Sequence, residues 1–185
     1  ATEAGIGLDS LWPGNSATEV AGYTVNNYGD NSYGDLVTLL QGTEQSINTV
    51  YVSAEEETGV RPVQDVSLRA GIPQDTPGLN LESPDLTFVL GTASPHTIDI
   101  AGSYATFAAR GLRADTTTIR RVQTSDGSLL YERENTDQRT FDENTADVVN
   151  YALQKVVTNG TGRPALAVGR PVAGKTGTTD EYKAS

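Results

Sequence analysis

Apolar residues recur at helical spacing in two well-separated stretches of this chain. The first stretch predicts a helix with one buried face and an end at Gly59; its apolar positions are Ile47, Val50, Tyr51 and Ala54. The second predicts the most regular helix of the chain, ending at Asn159-Gly160; its apolar positions are Ala146, Val149, Leu153, Val156 and Val157. Each helix therefore offers one apolar face to a core.

Weaker patterns predict two further helices. Pro62 opens a short helix that Gly71 closes, because proline suits a first turn and glycine a helix end. Ser94-Pro95 is typical of an N-cap followed by a first-turn proline, and the helix it opens continues to Gly111. The first third of the chain is rich in loops, and residues 26–34 are polar and punctuated by glycine.

Strand patterns occur in the second half. Residues 119–123 and 128–132 are predicted to pair as a hairpin through Asp126-Gly127, a strong turn signal. Residues 172–179 are short, β-branched and glycine-bearing, and are predicted to form a last strand. Helices together with a hairpin and a strand indicate a mixed α and β domain.

Composition narrows the classes of function. The 185 residues suit one domain, and the net charge of −11 argues against nucleic acid and against an anionic membrane surface as partners. The absence of cysteine excludes disulfides, thiol nucleophiles and thiolate metal sites, and a single histidine excludes a histidine cluster. We therefore expect no metal and no cofactor. No apolar run approaches the length of a membrane span, and the opening at Ala1, without methionine, suggests a piece of a longer protein.

Two short motifs carry candidate chemistry. In Lys175-Thr176-Gly177-Thr178 the lysine supplies charge, the threonine a hydrogen bond, and the glycine room for another backbone, which suits a strand beside a substrate carboxylate. In Ser46-Ile47-Asn48 a hydroxyl and an amide can pass a proton and hold a peptide amide. Ser46 has an alternative interpretation as an ordinary helix N-cap.

Residues 169–176 also satisfy the P-loop pattern of nucleotide-binding proteins. A P-loop needs a strand before it, for which residues 165–168 are the candidate, and a helix directly after it. Pro171 removes a backbone donor from the loop, and Gly177 is a poor helix start. We therefore do not expect a nucleotide to bind.

Longer runs place the two motifs in a family. They occupy residues 45–51, 90–94, 103–111, 157–163 and 169–179. In their order and spacing the chain resembles, from about residue 5 to residue 185, the transpeptidase domain of a class A, bifunctional penicillin-binding protein. The resemblance implies an α+β fold of the β-lactamase/transpeptidase type: an antiparallel sheet flanked by helices, with a mostly helical subregion, incomplete at both ends.

The resemblance also implies a function outside the cytoplasmic membrane, in a parent protein anchored by a segment not in this chain. That function is D,D-transpeptidation, serine acyl transfer on peptidoglycan stem peptides ending in D-alanyl-D-alanine, with β-lactams as substrate mimics. By the same likeness Ser46 relays a proton, Asn48 bonds the acyl side and Lys175 holds Ser46 in a positive field. The hydroxyls of Thr176 and Thr178 are candidates for the carboxylate. The Thr178 N–H forms half of the oxyanion hole, and Gly177 lies in the binding strand.

The chain departs from the family in one respect. The nucleophile motif is Ser-x-x-Lys, but three residues before the lysines stand Ala152, Val172 and Asp180. The nucleophile is therefore expected in the remainder of the domain, upstream, and this chain alone is expected to be inactive. An inert fragment or a penicillin-recognising sensor is an open alternative. A D,D-carboxypeptidase or β-lactamase shares the motifs, and only the longer runs favour transpeptidation.

Three other features receive ordinary structural interpretations. His96 is expected to be a polar, partly exposed residue at a helix start rather than a base. The run of three glutamates at 55–57 is interpreted as a solvated helix face rather than a metal site. Asn159-Gly160-Thr161 fits a glycosylation sequon, but is interpreted as a helix end.

Overall fold

The structure, a computed structural model, describes residues 1–79, 82 and 85–177. Within these ranges it contains five α-helices: α1 (Leu39–Gln45), α2 (Asn48–Thr58), α3 (Val60–Ala70), α4 (Thr97–Ala108) and α5 (Glu143–Asn159). Eight short strands accompany them: β1 (Leu11–Trp12), β2 (Thr18–Val20), β3 (Tyr23–Val25), β4 (Val37–Thr38), β5 (Leu112–Arg113), β6 (Arg121–Gln123), β7 (Leu129–Glu132) and β8 (Gln138–Arg139). The described strands form four antiparallel pairs, β1–β4, β2–β3, β5–β8 and β6–β7.

The helices predicted from periodicity are present. The two amphipathic stretches are α2 and α5, which end at Thr58 and Asn159, and the helix around Pro62 is α3. The hairpin turn at Asp126-Gly127 joins β6 to β7 as predicted.

The predicted start of α4 is wrong by two residues. The N-cap is His96 rather than Ser94, because the Asp99 carboxylate accepts a hydrogen bond from the His96 N–H in a capping box. The helix also ends earlier than predicted, at Ala108, since the backbone turns to positive φ at Arg110 and Gly111.

The predicted strand over residues 172–179 is wrong where the structure describes it. Residues 171–177 have no regular secondary structure, and the Gly174 N–H donates to the Leu153 carbonyl of α5, 3.2 Å away. A β-branched segment becomes a strand only when a free strand edge lies beside it, and the described residues place a helix there. Residues 178 and 179 lie outside the described part.

Helix α2 lies at the centre of the molecule. The residue before its first turn, Ile47, is buried in one apolar cluster together with Val50 and Ala54 of the helix. The other buried members of this cluster are Trp12, Val37 and Leu39. Val52, on another side of α2, packs against Val20 and Val25 of the β2–β3 hairpin. A helix apolar on more than one side must be covered on each, so the early loops and hairpin wrap around α2.

A side chain from the early loop caps α2. The helix N-cap is Ile47, which has no side-chain acceptor, and the buried Asn27 supplies one: its Oδ1 accepts from the Thr49 N–H at 3.1 Å. The Asn27 Nδ2 donates to the carbonyls of Gly14 and Asn31. A loop of polar residues is thereby held at the start of α2, because its buried amide is fully used.

Hydrogen bonds hold the C-terminal end of α5 against the C-terminal end of α1. The Thr161 N–H donates to the Glu44 carbonyl at 2.9 Å, and the Asn159 amide donates to the Glu44 carboxylate at 3.3 Å. Glu44 lies in the last turn of α1, where carbonyls lack partners within the helix. A Cβ on Gly160 would overlap the Glu44 carbonyl oxygen, so only glycine permits this approach. The helix end predicted at Asn159-Gly160 is confirmed.

Glu55 departs from the solvated face predicted for the glutamate run. Glu56 and Glu57 are exposed, but Glu55 is 2% exposed, beside a cavity of about 240 Å³. Its Oε2 accepts from the Val89 N–H at 3.2 Å, and its Oε1 has no hydrogen-bond partner in the part of the chain that the structure describes. Burial raises the pKa of Glu55 to about 7, against the opposing effect of the Val89 N–H and with a smaller contribution from Asp85.

Glu55→Gln is expected to remove a pH dependence of stability. The folded-state pKa near 7 exceeds the ordinary value of 4.5, so the stability due to this group is complete below about pH 4.5. As pH rises to about 7, up to about 3 kcal/mol of unfolding free energy is lost. Urea unfolding between pH 5 and 8 should show that the unfolding free energy of the variant increases relative to that of the wild type as pH rises. Glu56→Gln, at an exposed neighbour, is the control; parallel curves for both variants would contradict the burial of Glu55.

Gly160→Ala is expected to lower the unfolding free energy by about 1–3 kcal/mol, because the added methyl group forces α5 away from α1. The control is Gly102→Ala, inside α4, where a Cβ would have its nearest neighbour at 3.9 Å. That change should be neutral or stabilising by up to about 1 kcal/mol, since alanine favours a helix interior. Equal effects of the two substitutions in thermal unfolding would exclude a close approach at Gly160.

Candidate active site

Ser46 lies in the junction between α1 and α2 in the left-handed conformation, with φ 58° and ψ 50°. Its N–H closes α1 by donating to the carbonyls of Gly42 and Thr43. The interpretation of Ser46 as an N-cap is wrong, because Ile47 holds that position in α2. A non-glycine residue in this conformation costs of the order of 1 kcal/mol or more, so the junction holds the half-buried Ser46 under backbone strain.

Lys175 meets Ser46 across 129 residues of sequence. Its Nζ donates to the Ser46 Oγ at 2.6 Å and to the Thr176 carbonyl at 2.9 Å. The lysine is half-buried, and this burial lowers its pKa below the ordinary value. A serine oxygen that accepts from an ammonium group keeps its own proton free to be donated elsewhere.

Thr176 and Gly177 continue the segment. The Thr176 hydroxyl lies 2.6 Å from the Thr161 hydroxyl, at the end of α5. Both Thr176 and Gly177 are exposed, and a Cβ on Gly177 would meet open space among the described residues. The role expected for Gly177 therefore stays a prediction, since no other backbone approaches it among residues 1–79, 82 and 85–177. Thr178 lies outside the described residues.

Asn48 begins α2, two residues after Ser46. Its Nδ2 donates to the Asn26 carbonyl at 2.9 Å, next to the Asn27 that caps the helix. This contact fixes the amide so that its Oδ1 is the atom it can offer to a donor. The structure thus brings Ser46, Lys175 and Thr176 into direct contact, and ties Asn48 to the loop beside them.

Three residues near the site were not identified from the sequence: Asn27, Tyr104 and Thr161. Burial raises the pKa of the Tyr104 hydroxyl in α4, against a smaller opposing effect of the Lys175 backbone. Tyr104 and Thr161 lie within the runs that carried the family resemblance, which was a signal available in advance. For Asn27 the only signal was indirect: the N-cap of α2 is Ile47, which has no side-chain acceptor, so another residue has to supply one.

The other candidates have structural roles. His96 is exposed at the N-cap of α4, 3.3 Å from the Asp99 carboxylate. No group of three histidine, cysteine, aspartate or glutamate residues in the described ranges is placed to hold a metal ion. Residues 165–168, the P-loop strand candidate, lie in a 3₁₀ helix (Arg163–Val168), and residues 170–177 are not helical, so the geometry of a P-loop is not present. Within residues 1–79, 82 and 85–177, no helix has the length and apolar character to cross a bilayer.

Comparison with known proteins gives matches over nearly the whole chain. The family model "Penicillin binding protein transpeptidase domain" matches residues 4–185. Penicillin-binding protein 2a of Streptococcus pneumoniae is 30% identical over 183 residues, 97% of this chain and 24% of that protein. Penicillin-binding protein 1A of Aquifex aeolicus is 31% identical over 157 residues, 85% of this chain and 20% of that protein. The penicillin-binding protein PonA1 of Mycobacterium tuberculosis aligns at 28% identity with a TM-score of 0.83, covering 98% of this chain and 50% of that chain.

The chain thus spans between a fifth and a quarter of the length of these curated relatives and half of the solved chain. The α+β fold of the transpeptidase type, expected from the motifs, is confirmed by the structural match. The family model covers both the Ser46 junction and the Lys175 segment, which the structure brings together. This chain belongs to the penicillin-binding protein transpeptidase domain family.

Proposed function

We propose that this chain is the part of a peptidoglycan D,D-transpeptidase that binds the stem peptide and moves protons during serine acyl transfer. The observation that carries this proposal is the 2.6 Å hydrogen bond from Lys175 Nζ to Ser46 Oγ, in a chain of the transpeptidase family. The contact pairs a cation of lowered pKa with a hydroxyl, which is a means of passing a proton.

The nucleophile comes from outside the 185 residues, since the chain contains no Ser-x-x-Lys. In the proposed reaction that serine attacks the carbonyl of the penultimate D-alanine, and the bond to the terminal D-alanine breaks. Ser46 relays a proton to the departing amine, and Lys175 Nζ, which donates to Ser46 Oγ, replaces the proton that the serine gives up. The amine of a second stem peptide then displaces the serine and forms the cross-link. A placed proton donor of this kind contributes ~10²–10⁴ in rate.

The remaining site residues bind the substrate. Lys175 provides a local positive field in an acidic chain, and the Thr176 hydroxyl donates to the substrate carboxylate, with Gly177 and Thr178 continuing the binding segment. Hydrogen bonds to a charged group contribute about 1.5–3 kcal/mol. The Asn48 Oδ1 accepts from the N–H of the acyl side chain. No metal or cofactor takes part in these steps.

β-Lactams are proposed to enter the same site, because a β-lactam offers a strained amide and a carboxylate in place of the peptide. A structure of PonA1 in complex with penicillin V, 28% identical with a TM-score of 0.82, supports this partner. We propose that the reaction takes place outside the cytoplasmic membrane, where peptidoglycan lies. The parent protein would be anchored by a segment beyond this chain. D,D-Carboxypeptidase or β-lactamase activity would use the same residues with water in place of the second amine.

The missing Ser-x-x-Lys supports one second candidate, a recognition segment that binds β-lactams without acylation. A fluorescent penicillin distinguishes the two. We expect a covalent band on the parent protein, in which this chain is joined to a Ser-x-x-Lys segment, and no band on the 185-residue chain alone. Label on the short chain would contradict the external nucleophile, and an unlabelled parent would contradict acyl transfer.

Substitutions of Ser46 are expected to separate activity from stability. Ser46→Ala and Ser46→Gly both remove the hydroxyl, so in the parent protein each should slow β-lactam acylation by ~10²–10⁴. Glycine relieves the left-handed strain, so Ser46→Gly should unfold with a free energy about 1 kcal/mol higher than that of Ser46→Ala. Stopped-flow acylation and urea unfolding measure the two quantities. Full acylation by either variant would remove Ser46 from the mechanism.

A further inference from the structure

We propose that Thr161 is a positioning residue, which directs the hydroxyl proton of Thr176 toward the carboxylate of the substrate. The proposal rests on the proposed function, in which Thr176 receives that carboxylate. The observation behind it is the 2.6 Å contact between the two threonine hydroxyls at the exposed mouth of the site.

Thr161 is held in place independently of this contact. Its N–H donates to the Glu44 carbonyl, and Gly160 before it lies against the same carbonyl. The neighbouring Gly162 N–H donates to the Val156 carbonyl of α5. The turn that carries Thr161 is therefore fixed by its backbone, and the side chain is not required to build it.

Thr176 is held from the opposite side. Lys175 Nζ donates both to the Thr176 carbonyl and to Ser46 Oγ, and Ser46 follows Glu44 by two residues. The contacts form a ring that runs from Glu44 through Thr161, Thr176 and Lys175 to Ser46. The two hydroxyls meet because both backbones are anchored to the end of α1.

A threonine hydroxyl has one proton, so only one of the two can donate in their mutual hydrogen bond. If Thr176 donates to Thr161, its proton is not available for an anion. If Thr161 donates to Thr176, the Thr176 proton points away from Thr161 and is polarised to donate more strongly. A carboxylate can only accept hydrogen bonds, so its binding selects the arrangement in which Thr161 donates to Thr176. Thr161 thereby strengthens recognition of a carboxylate and adds little for a neutral group at the same position.

The test uses the parent protein and two probes: benzylpenicillin and its methyl ester, which lacks the negative charge. The measured quantity is the ratio of the acylation rate constants for acid and ester. Thr161→Val, which keeps the shape and removes the hydroxyl, is expected to lower this ratio by about 3- to 10-fold. Thr161→Ser is expected to restore it, since serine supplies the same donor. Thr176→Val should lower the ratio by about 10-fold or more.

The double variant Thr161→Val/Thr176→Val should show the same ratio as Thr176→Val alone, because Thr161 acts only through Thr176. A purely structural role predicts equal losses for acid and ester and an unchanged ratio, which would overturn the inference. Additive losses in the double variant would also overturn it. A wild-type parent that forms no covalent adduct would overturn the proposed function and this inference together, whereas normal wild-type acylation with an unchanged ratio in Thr161→Val defeats this inference alone.

Discussion

The contact between Lys175 and Ser46 depends on how closely the end of α5 lies against the end of α1. The Glu44 carbonyl, unpaired within its own helix, receives the Thr161 N–H, and Gly160 allows the backbones to meet because it has no side chain. The segment that follows α5 leads through a 3₁₀ turn to Lys175. With one helix end fixed on the other, the lysine reaches a serine only two residues beyond Glu44.

The position of Ser46 depends on a second constraint, the sharp junction between α1 and α2. Ser46 adopts a left-handed conformation that glycine would adopt more easily, and Asn27 supplies from a distant loop the cap that Ile47 cannot. Both features are unfavourable for an isolated helix pair. The junction nonetheless holds the Ser46 hydroxyl at Lys175, because the local strain is offset by the burial of Leu39 before the turn and of Ile47 and Val50 after it.

Periodicity and turn chemistry were sufficient for the parts of this fold that are determined locally. α2, α5 and the hairpin at Asp126-Gly127 follow from spacing and from turn residues. The predicted strand over residues 172–179 failed in its described part because strand formation depends on a partner edge, which is a nonlocal condition. Glu55 was misjudged for a related reason: a run of like charges predicts exposure, but Glu55 follows Tyr51 by four residues and so shares its inward face.

For the site, the sequence identified the chemical groups but not the contacts between them. Ser46, Lys175 and Thr176 were recognisable as motif residues, and the structure adds that they touch. Thr161 had no motif of its own, because its role depends on the position of another hydroxyl 15 residues away. Its place within residues 157–163 was a signal that it lies near the site, but its contact with Thr176 follows only from the structure.

The acidity of the chain does not conflict with an anionic substrate. A net charge of −11 is spread over the whole molecule, and at physiological salt its effect decays over roughly 8 Å in water. Lys175 is half-buried, so its field at the mouth of the site is screened less than that of an exposed lysine. The same burial lowers its pKa, which brings its proton closer to exchange with Ser46. Under the proposed function, burial of this one lysine serves both the attraction of a carboxylate and the movement of a proton, and any substitution that exposes Lys175 should weaken both together.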